Sequence, residues 1–459
     1  MPPDQELPVT DPGETAAEAA DPRIAVDLTA APEAAAADVP PELVAQSLGE
    51  YYRAWWLRLR SGDSGVLPVV LAMVVVGVVF EIITPEHAFL RPSNLVFIFG
   101  LSTVYMVLAM AETVVLLLGE IDLSVGAVAL IGGVIAFKLV QPGAGWPWWA
   151  AILAALVVCG LFGSLQGTLT ARLRIPSFVV TLAGFLLFSG ILIVVLGGAD
   201  GFVNLDSTKF DQRVIYDLVQ GTIAPVASWV LLVLVIGVAG TTQWLRAARR
   251  RRQGLVAPPV SVIAIKIALM ALIGAAVVAV CTVNRGTTLK VVQGVPWVIP
   301  IVLVVLGVWT LVLGRTRFGR YLYAIGGNPE AARRAGVSLA GIRTWAFALC
   351  AATAGLGGIL LGSFFYGEYS TNTADPGQLV LYTVAAAVIG GVSLFGGRGK
   401  AIHGVLGGFL IGSIAYGVAL LNLGSLSTPL QYILPGAVLL LAVMIDVLSR
   451  RGTGSVTRV

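Results

Sequence analysis

The sequence has 459 residues, of which 57% are hydrophobic and only 12% are charged, with a formal net charge of +4. Soluble domains carry about 25% charged residues, so this composition excludes an ordinary soluble protein and a disordered one. Three cysteines, Cys159, Cys281 and Cys350, lie in apolar stretches and are expected to be small packing residues. The two histidines, His87 and His403, are far apart, so no histidine metal site is expected.

Residues 1–42 differ from the rest of the chain. They hold ten of the 25 acidic residues but only one base, Arg23, and most of the others are alanine or proline. Such a composition cannot bury a core, so we predict a disordered acidic cytoplasmic tail. The segment also lacks the basic start and apolar centre of a signal peptide.

Residues 43–64 precede the first apolar stretch and have a different character. Aromatic and arginine side chains lie close together here, namely Tyr51, Tyr52, Arg53, Trp55, Trp56, Arg58 and Arg60. This mixture is typical of an amphipathic segment that lies at the level of the lipid headgroups.

Twelve apolar stretches within residues 65–449 are candidate membrane spans. They begin near Val66, Asn94, Ile121, Trp148, Pro176, Ser228, Ser261, Pro296, Thr344, Leu379, Ala401 and Thr428. Each approaches the roughly 20 apolar residues that a spanning helix needs. The sequence therefore predicts an all-α polytopic membrane protein with about 12 transmembrane helices and a short tail at 450–459. The second and third spans leave open a broken or re-entrant piece.

The lysines and arginines of the loops predict the orientation of these spans, because cytoplasmic loops are enriched in both. With a cytoplasmic N-terminus, the inner groups are Arg53, Arg58 and Arg60, Arg172 and Arg174, Arg246 with Arg249–Arg252, the run 315–343, Arg398 and Lys400, and Arg450 and Arg451. The outer loops hold only Arg91, Lys209, Arg213, Arg285 and Lys290, with Lys138 at a span end. Both termini are therefore predicted to be cytoplasmic.

Glycines recur at four-residue spacing in two of the predicted spans. Gly404, Gly408 and Gly412 form one series, and Gly358 and Gly362 form another. This spacing lets helix backbones approach closely in lipid. Packing within one chain is favoured over a dedicated dimer face.

Three carboxylates lie inside or beside the second apolar stretch: Glu112, Glu120 and Asp122. A charge at the centre of a membrane costs about 2.5 to 3.5 kcal/mol on insertion scales, so a buried, hydrated or paired environment is expected. In one interpretation, Asp122 and Ser124 cap a helix that starts at Leu123 after a break. In the other, Glu112, Glu120, Asp122 and Ser124 line a translocation path. The residues alone leave both open.

The longest basic loop, residues 315–343, contains strong helix signals. Asn328 is a good N-cap, Pro329 suits the first helical position, Glu330 complements the helix dipole, and Gly336 is a good stop. We predict a helix of about two turns outside the membrane, which also carries Arg333 and Arg334. Such a helix either docks on a partner protein or belongs to an ordinary structured loop.

No nucleotide-binding site is predicted. Phe395–Ala401 partly matches a phosphate-binding loop, but Leu394 stands where the first glycine is needed and Ala401 where serine or threonine binds magnesium. The segment also joins two spans, and we interpret it as a tight cytoplasmic turn. Any ATP used for transport would be hydrolysed by another chain.

Three segments resemble hallmark sequences of the ribose/xylose-type permeases of ABC importers. Gly119–Gly126 (GEIDLSVG) is similar to the family's Gly-Gly-Ile-Asp-Leu-Ser-Val-Gly motif, and Ile175–Leu182 (IPSFVVTL) to its Pro-Ser-Phe-Ile-Val-Thr-Leu segment. Thr316–Gly336 is similar to its cytoplasmic loop Thr-Arg-Phe-Gly-Arg…Ala-Ile-Gly-Gly-Asn-Pro-Glu-Ala-Ala-Arg. The resemblance extends from about Asn94 to Ser449.

This resemblance implies the membrane subunit of a monosaccharide importer in the cell membrane. It implies a homodimer, an extracytoplasmic sugar-binding protein and a cytoplasmic ABC ATPase, with no cofactor or metal in this chain and no nucleic-acid partner. The helix that begins after Asn328 would be the coupling helix that docks on the ATPase. Glu120 departs from the family motif. A basic insertion with an additional span, residues 246–295, is associated with the xylose-type branch and favours a pentose.

Two other functions remain as alternatives. An ion-coupled secondary transporter would use Glu112, Glu120 or Asp122 as a proton or sodium site. A membrane enzyme acting on lipid-linked sugars would need a polar cluster at an interface. The nearest such set is the outer-loop aspartates Asp200, Asp206, Asp211 and Asp217, whose spacing is typical of a solvated loop.

Overall fold

The structure, a computed structural model, describes residues 48–60, 65–198, 200–255, 257–286, 291–371 and 375–453. The predicted acidic tail lies outside the described residues, as do the first and last few residues of the predicted interfacial segment. Residues 48–57 and 242–265 belong to one compact unit, and the described residues from 58–241 and 266–453 belong to a second.

The described part of the chain is mostly helical, as predicted. The helices in chain order are α1 (Leu48–Arg60), α2 (Leu67–Ile83), α3 (Pro92–Leu116), α4 (Val125–Val140), α5 (Trp148–Arg172), α6 (Ser177–Leu196), α7 (Phe210–Gln220), α8 (Pro225–Arg252), α9 (Val260–Thr282), α10 (Val298–Arg315), α11 (Arg317–Gly327), α12 (Pro329–Arg334), α13 (Leu339–Phe364), α14 (Pro376–Ile389), α15 (Ala401–Leu420) and α16 (Ser427–Thr453). The last helix continues past residue 449, where the C-terminal tail was predicted to begin.

Nine helices of the described residues are long and apolar enough to cross a membrane. Three shorter apolar helices, α2, α4 and α14, bring the number of apolar helices to twelve, one for each predicted stretch. At 1.5 Å per residue, the 14 residues of α14 cover about 21 Å, less than the roughly 30 Å of a hydrocarbon core. The short helices α4 and α14 lie mainly among other helices, where irregular backbone at their ends can be satisfied by protein groups.

Helices α3, α4, α13, α14 and α15 form the buried core of the larger unit. Helix α13 packs along α3, α4 and α5, while α15 packs along α3. The glycines of α15 explain why this helix can approach α3 so closely. A methyl group on Gly404 would lie 2.7 Å from the backbone nitrogen of Met110, and one on Gly412 would lie 2.7 Å from Cα of Ser102. The predicted packing role of this glycine series is confirmed.

The second glycine series has the same role. Gly358 of α13 lies against the backbone of Ala129 in α4, and a methyl group on Gly362 would lie 2.6 Å from the ring of Phe137. The fully buried Tyr369 fills the space beside these glycines, and its hydroxyl donates to the carbonyl of Gly358. Small residues therefore set the spacing between α4 and α13.

One small sheet departs from the predicted all-α fold. Strand β1 (Phe202–Asn204) pairs antiparallel with β2 (Glu368–Ser370), with Val203 opposite Tyr369. The sheet joins two loops that are 166 residues apart in sequence, the difference between positions 369 and 203. No local pattern in either loop could have indicated this pairing.

The interpretation of the outer-loop aspartates as part of a solvated loop is wrong for the segment that forms α7. This helix buries Gln212, Ile215 and Val219 and packs on α13, where the Val219 backbone N–H donates to Ser363 Oγ at 3.0 Å. Asp211 accepts a hydrogen bond from the backbone N–H of Trp148 at 3.0 Å. Asp211 and Asp217 therefore belong to a packed helix, whereas Asp200 and Asp206 precede it.

The three cysteines are free thiols and are all buried, as predicted. Within the described residues, no three histidine, cysteine, aspartate or glutamate side chains lie close enough together to hold a metal ion.

Candidate functional site

The predicted break between the second and third spans lies at residues 117–124. Helix α3 ends at Leu116 and α4 begins at Val125, two residues later than the predicted start at Leu123. Gly119 turns the chain with a left-handed φ of 76°, a conformation that glycine adopts without a steric penalty. Two apolar helices are therefore joined by eight residues of irregular structure, called the break here.

Capping at the start of α4 differs from the prediction. Ser124 occupies the N-cap position, but its backbone is in the right-handed helical region and its side chain makes no capping bond. A capping side chain normally requires an extended backbone at this position. Instead Asp122 Oδ1 accepts from the Ser124 backbone N–H at 2.8 Å and from its hydroxyl at 2.7 Å. The Asp122 side chain, and not that of Ser124, therefore provides the acceptor in the turn that leads into α4.

Glu112 holds the same turn from the side of α3. Its Oε1 accepts a hydrogen bond from the Asp122 backbone N–H at 3.1 Å, and both side chains are fully buried. The end of α3 and the irregular segment that leads into α4 are thus linked through one carboxyl group. Glu112 and Asp122 were both identified from one segment of the sequence. The hydrogen bond that joins them is a result of the fold.

Gln166 of α5 extends this buried polar cluster. Ser124 Oγ lies 2.7 Å from Asp122 Oδ1 and 3.0 Å from the Gln166 side-chain oxygen, but a hydroxyl has only one hydrogen to donate. The carboxyl oxygen is the stronger acceptor. A half-turn of the Gln166 amide then lets its N–H₂ group donate to Ser124 Oγ, so that the hydroxyl donates to Asp122 and accepts from Gln166.

Four buried polar atoms at or near this cluster have no hydrogen-bond partner among the described residues before that rotation. They are Glu112 Oε2, Asp122 Oδ2, Gln166 Nε2 and Thr170 Oγ1. An unsatisfied buried polar group costs about 1–3 kcal/mol. A purely structural core avoids such groups, so their concentration here favours a functional role.

Glu120 has a different environment from Glu112 and Asp122. Its Oε1 lies 3.2 Å from Arg343 Nε, and the two side chains are 13% and 26% exposed. Arg343 lies in α13, beyond the predicted coupling helix. The residue that departs from the family motif is therefore paired with a base from the far end of the basic loop, a pairing that the sequence did not indicate.

The second motif segment contacts the break directly. The hydroxyl of Thr181 in α6 lies 2.9 Å from the Ser177 carbonyl oxygen and 3.2 Å from the carbonyl oxygen of Ile121. Two of the three segments that carry the family resemblance are thus neighbours in space.

The short helix predicted in the basic loop is present as α12. Asn328 caps it by accepting from the Ala331 backbone N–H at 3.0 Å, Pro329 is its first residue, and Gly336 follows it with a left-handed φ of 81°. Glu330 pairs with Arg333 at 2.9 Å and with Arg334 at 3.2 Å. The hydrogen bonds from these two arginines, Arg333 first, lower the pKa of the Glu330 carboxyl.

A second helix precedes α12 and was not predicted. Helix α11 begins after Thr316, whose hydroxyl oxygen accepts from the Gly319 backbone N–H at 3.1 Å, and it buries Leu322 and Ile325. Most of α12 is exposed, with Ala332 as its buried residue. The loop is therefore a pair of helices, one held against the protein and one presented outwards.

The glycine turn between α14 and α15 connects this loop to the break. The Gly397 backbone N–H donates to the Leu117 carbonyl at 2.9 Å, and the Tyr323 hydroxyl of α11 donates to the Gly399 carbonyl at 2.7 Å. Gly326 lies against both Leu117 and Gly397, where a side chain would collide with backbone. The predicted tight turn is present, and it joins α11 to the end of α3.

The comparisons with known proteins agree with this arrangement. A protein-family model described as the permease component of the branched-chain amino acid transport system matches residues 94–443. The xylose transport system permease protein XylH of Escherichia coli strain K12 is 32% identical over 387 residues, which cover 83% of this chain and 92% of that protein.

Two further relatives have similar coverage. XylH of Haemophilus influenzae is 32% identical over 86% of this chain and 99% of its own length. The ribose import permease protein RbsC of Escherichia coli strain K12 is 27% identical over 86% of this chain and 95% of its own length. No solved structure matches the chain. The family match spans well over half of the sequence, so the chain belongs to this permease family and is a multi-pass membrane protein.

Proposed function

We propose that this permease is the membrane-spanning subunit of an ABC importer that carries a monosaccharide, most specifically a pentose such as xylose. Sugar arrives from an extracytoplasmic binding protein, and a separate cytoplasmic subunit hydrolyses ATP. The observation that carries the proposal is 32% identity to a xylose permease over 83% of this chain and 92% of that protein. The ribose permease is less similar, at 27%, which favours the xylose-type branch.

Twelve spans with both termini in the cytoplasm form the proposed topology. Nine helices of spanning length plus three shorter apolar helices support this number among the described residues. Contacts between loops support the predicted alternation of the loops between the two sides of the membrane. Strands β1 and β2, from two loops predicted outside, pair with each other, while the break at 117–124, the Gly397 turn and α11, all predicted inside, contact one another.

Helix α12 is the proposed coupling helix. It presents Glu330, Arg333 and Arg334 outwards, while α11 is held to the Gly397 turn and Arg343 to Glu120. Movement of an ATPase against α12 would therefore be transmitted to the break between α3 and α4 by two contacts. One is α11 with the Gly397 turn, and the other is Arg343 with Glu120. That break is the place where a change in helix orientation alters the cytoplasmic end of the protein.

Glu112, Glu120, Asp122 and Ser124 remain the candidate residues for the translocation path. Glu112, Asp122 and Ser124 are fully buried in this conformation, so they contribute to the path only when the break rearranges. We propose that they control opening at the cytoplasmic end and that sugar selectivity resides mainly in the binding protein. A homodimer, as in alternating-access permeases of this kind, completes the proposed assembly.

An ion-coupled secondary transporter is not favoured. Glu120 is neutralised by Arg343, and Asp122 Oδ1 is occupied by Ser124. The matched relatives are a xylose transport system permease and a ribose import permease. The two mechanisms differ in their energy source. Uptake that requires a nucleotide-hydrolysing partner and does not depend on a proton gradient supports the ABC importer.

The central experiment reconstitutes the chain with its ATPase and sugar-binding protein in liposomes and measures xylose uptake. The test variant replaces Glu330 and Arg333 with alanine. We expect loss of ATPase binding and of uptake, with normal membrane insertion. The matched control replaces the exposed ion pair of Glu86 and Arg91, 3.0 Å apart in an outer loop, and should leave both unchanged.

Two results would contradict the proposal. Accumulation of xylose by the chain alone, without nucleotide, would refute dependence on a separate ATPase. Unchanged ATPase binding in the Glu330 and Arg333 variant would refute the coupling assignment of α12 while leaving the transport function intact. Competition by unlabelled ribose, arabinose and xylose would then rank the substrates.

A further inference from the structure

Helix α8 ends in a dense group of positive charges that the transport function does not use. Arg246 and Arg249–Arg252, called the arginine cluster here, are all exposed. The described residues of their compact unit, 48–57 and 242–265, contain six arginines with Arg53 included, and one acidic residue, Glu50. The net charge of this part is therefore +5, six positive minus one negative.

One of these arginines has a structural task, and the others have none in the described residues. Arg251 donates from Nη2 to the Pro258 carbonyl at 2.7 Å and so stabilises the turn after α8. No ion pair is formed by Arg246, Arg249, Arg250 or Arg252 within the part of the chain that the structure describes. A positive surface of this density calls for an anionic ligand.

The geometry of α8 favours a ligand in water over lipid headgroups. The apolar part of the helix ends at Leu245, and a rise of about 1.5 Å per residue places Arg249 about 6 Å and Arg252 about 10 Å further along the axis. The headgroup layer is only about 5–8 Å deep on each side. Four consecutive residues, about 100° apart, also point around the whole helix, so they cannot all face one lipid surface.

The chain itself supplies a matching anion. Residues 1–42 contain ten acidic residues and one base, a net charge of −9. They precede α1, whose residues 48–57 belong to the same compact unit as the arginine cluster. Ten residues of chain reach up to about 35 Å, so covalent attachment keeps these acids within range of the arginines at high effective concentration.

We infer that the acidic segment 1–42 binds the arginine cluster at the end of α8 and neutralises it. The contact is electrostatic, since the two segments carry many charges of opposite sign. It weakens at high salt, where the screening length falls from about 10 Å at ~0.1 M to about 3 Å at ~1 M. The inference uses the proposed topology only in placing both elements on the cytoplasmic side.

The test uses the full-length chain in nanodiscs of neutral phosphatidylcholine. Spin labels on Ala25→Cys and Gln253→Cys report the distance between the acidic segment and the cluster, with the unmodified chain as the background for the three buried native cysteines. We expect a short-distance population at ~0.1 M salt that is largely lost at ~1 M salt.

Charge reversal tests whether the contact depends on the opposite charges of the two segments. The variant Arg249→Glu, Arg250→Glu, Arg252→Glu should abolish the short distance, and changing six acids of residues 1–42 to lysine in that variant should restore it. The matched control, Arg172→Glu with Arg174→Glu, reverses two arginines of another loop predicted to be cytoplasmic and should have no effect.

Three outcomes would overturn the inference. One is a distance distribution insensitive to salt and to reversal of the cluster. Another is failure of the double reversal to restore the contact. The third is a short distance that exists only in nanodiscs containing anionic phosphatidylglycerol, which would assign the cluster to lipid. Xylose uptake by the same variants distinguishes these outcomes from failure of the transport function, because the distance measurement does not require transport.

Discussion

Helices α3 and α8 have nearly the same hydropathy and very different surroundings. They contain 25 and 28 residues and both reach a mean hydropathy of 1.9, but 67% of the most apolar window of α3 is buried in the protein against 11% for α8. Hydropathy reports whether a segment can enter the membrane. It does not report whether the segment then faces lipid or other helices.

The difference lies in the partners of each helix. The backbone of α3 is approached by three glycines of α15, and its Glu112 reaches the start of α4. Gly237 of α8, by contrast, has open space where a side chain would be. In lipid, close packing and internal hydrogen bonds hold helices together, because there is no water to expel from between them.

The largest expected difference in stability is between two glycine-to-alanine substitutions, one in α15 and one in α8. Gly408→Ala places a methyl group 2.6 Å from Cα of Met106 in α3, so we expect about 1–3 kcal/mol or more of lost stability. Gly237→Ala should be neutral or slightly stabilising, because alanine favours the helix. Thermal unfolding of the purified variants in detergent gives the comparison. Equal midpoints would show that α3 and α8 are packed alike.

A second pair of substitutions compares polar groups in the two environments. Asp122→Ala removes the acceptor of two Ser124 hydrogen bonds in the buried cluster, and we expect a cost of about 1–3 kcal/mol. Thr241→Val in α8 removes a hydroxyl bonded only within its own helix, at 2.7 Å from the Gly237 carbonyl and 3.1 Å from the Val238 carbonyl. That change should stay within about 0.5 kcal/mol. An Asp122→Ala variant with an unchanged free energy of unfolding would show that these hydrogen bonds do not stabilise the break.

The attachment of α11 to the glycine turn should matter more for coupling than for stability. Tyr323→Phe removes one hydrogen bond, to the Gly399 carbonyl, worth about 0.5–1.5 kcal/mol. We expect a reduced ratio of sugar transported to ATP hydrolysed in liposomes. Tyr321→Phe, on the same helix and 37% exposed, is the control. An unchanged ratio in Tyr323→Phe would exclude this attachment from the coupling route.

The smallest effect is expected from the exposed ion pairs of α12. The pKa of Glu330 is lowered by its hydrogen bonds to Arg333 and Arg334, so the stabilisation is present above the ordinary carboxyl pKa and is lost as pH falls through the lowered value. ATPase binding should therefore be constant from about pH 8 to 5. Glu330→Gln should change the unfolding midpoint little, since exposed ion pairs stabilise weakly. A marked step in binding near neutral pH would show that another group titrates.

Local signals in the sequence were enough for elements whose contacts are local. Asn328, Pro329 and Gly336 define α12 because capping and turn preferences act within a few residues. Helix α11 had a local signal that the sequence analysis missed, because Thr316 is a residue type that commonly caps helices and does so here. The pairing of Glu120 with Arg343 and of Val203 with Tyr369 joins distant positions, for which no local preference exists.

The candidate site was predictable in composition but not in geometry. Glu112, Glu120 and Asp122 were identified because carboxylates are costly in an apolar segment, and Ser124 because it lies beside Asp122 as a possible helix cap. Gln166 gave no comparable signal, because a single amide in an apolar helix is common. Its place beside Ser124 follows from the packing of α4 on α5.

The amino-acid sequence by itself determined that the chain is a membrane protein, where its apolar helices begin, and which family it resembles, because hydropathy, charge bias and motif order are properties of neighbouring residues. Tertiary structure alone decided which helices are buried, that Asp122 and Glu112 close the break together, and that Gly397 and Tyr323 join the cytoplasmic loop to it. Those contacts depend on how close two backbones can approach, and that distance is set by pairs of residues far apart in the chain.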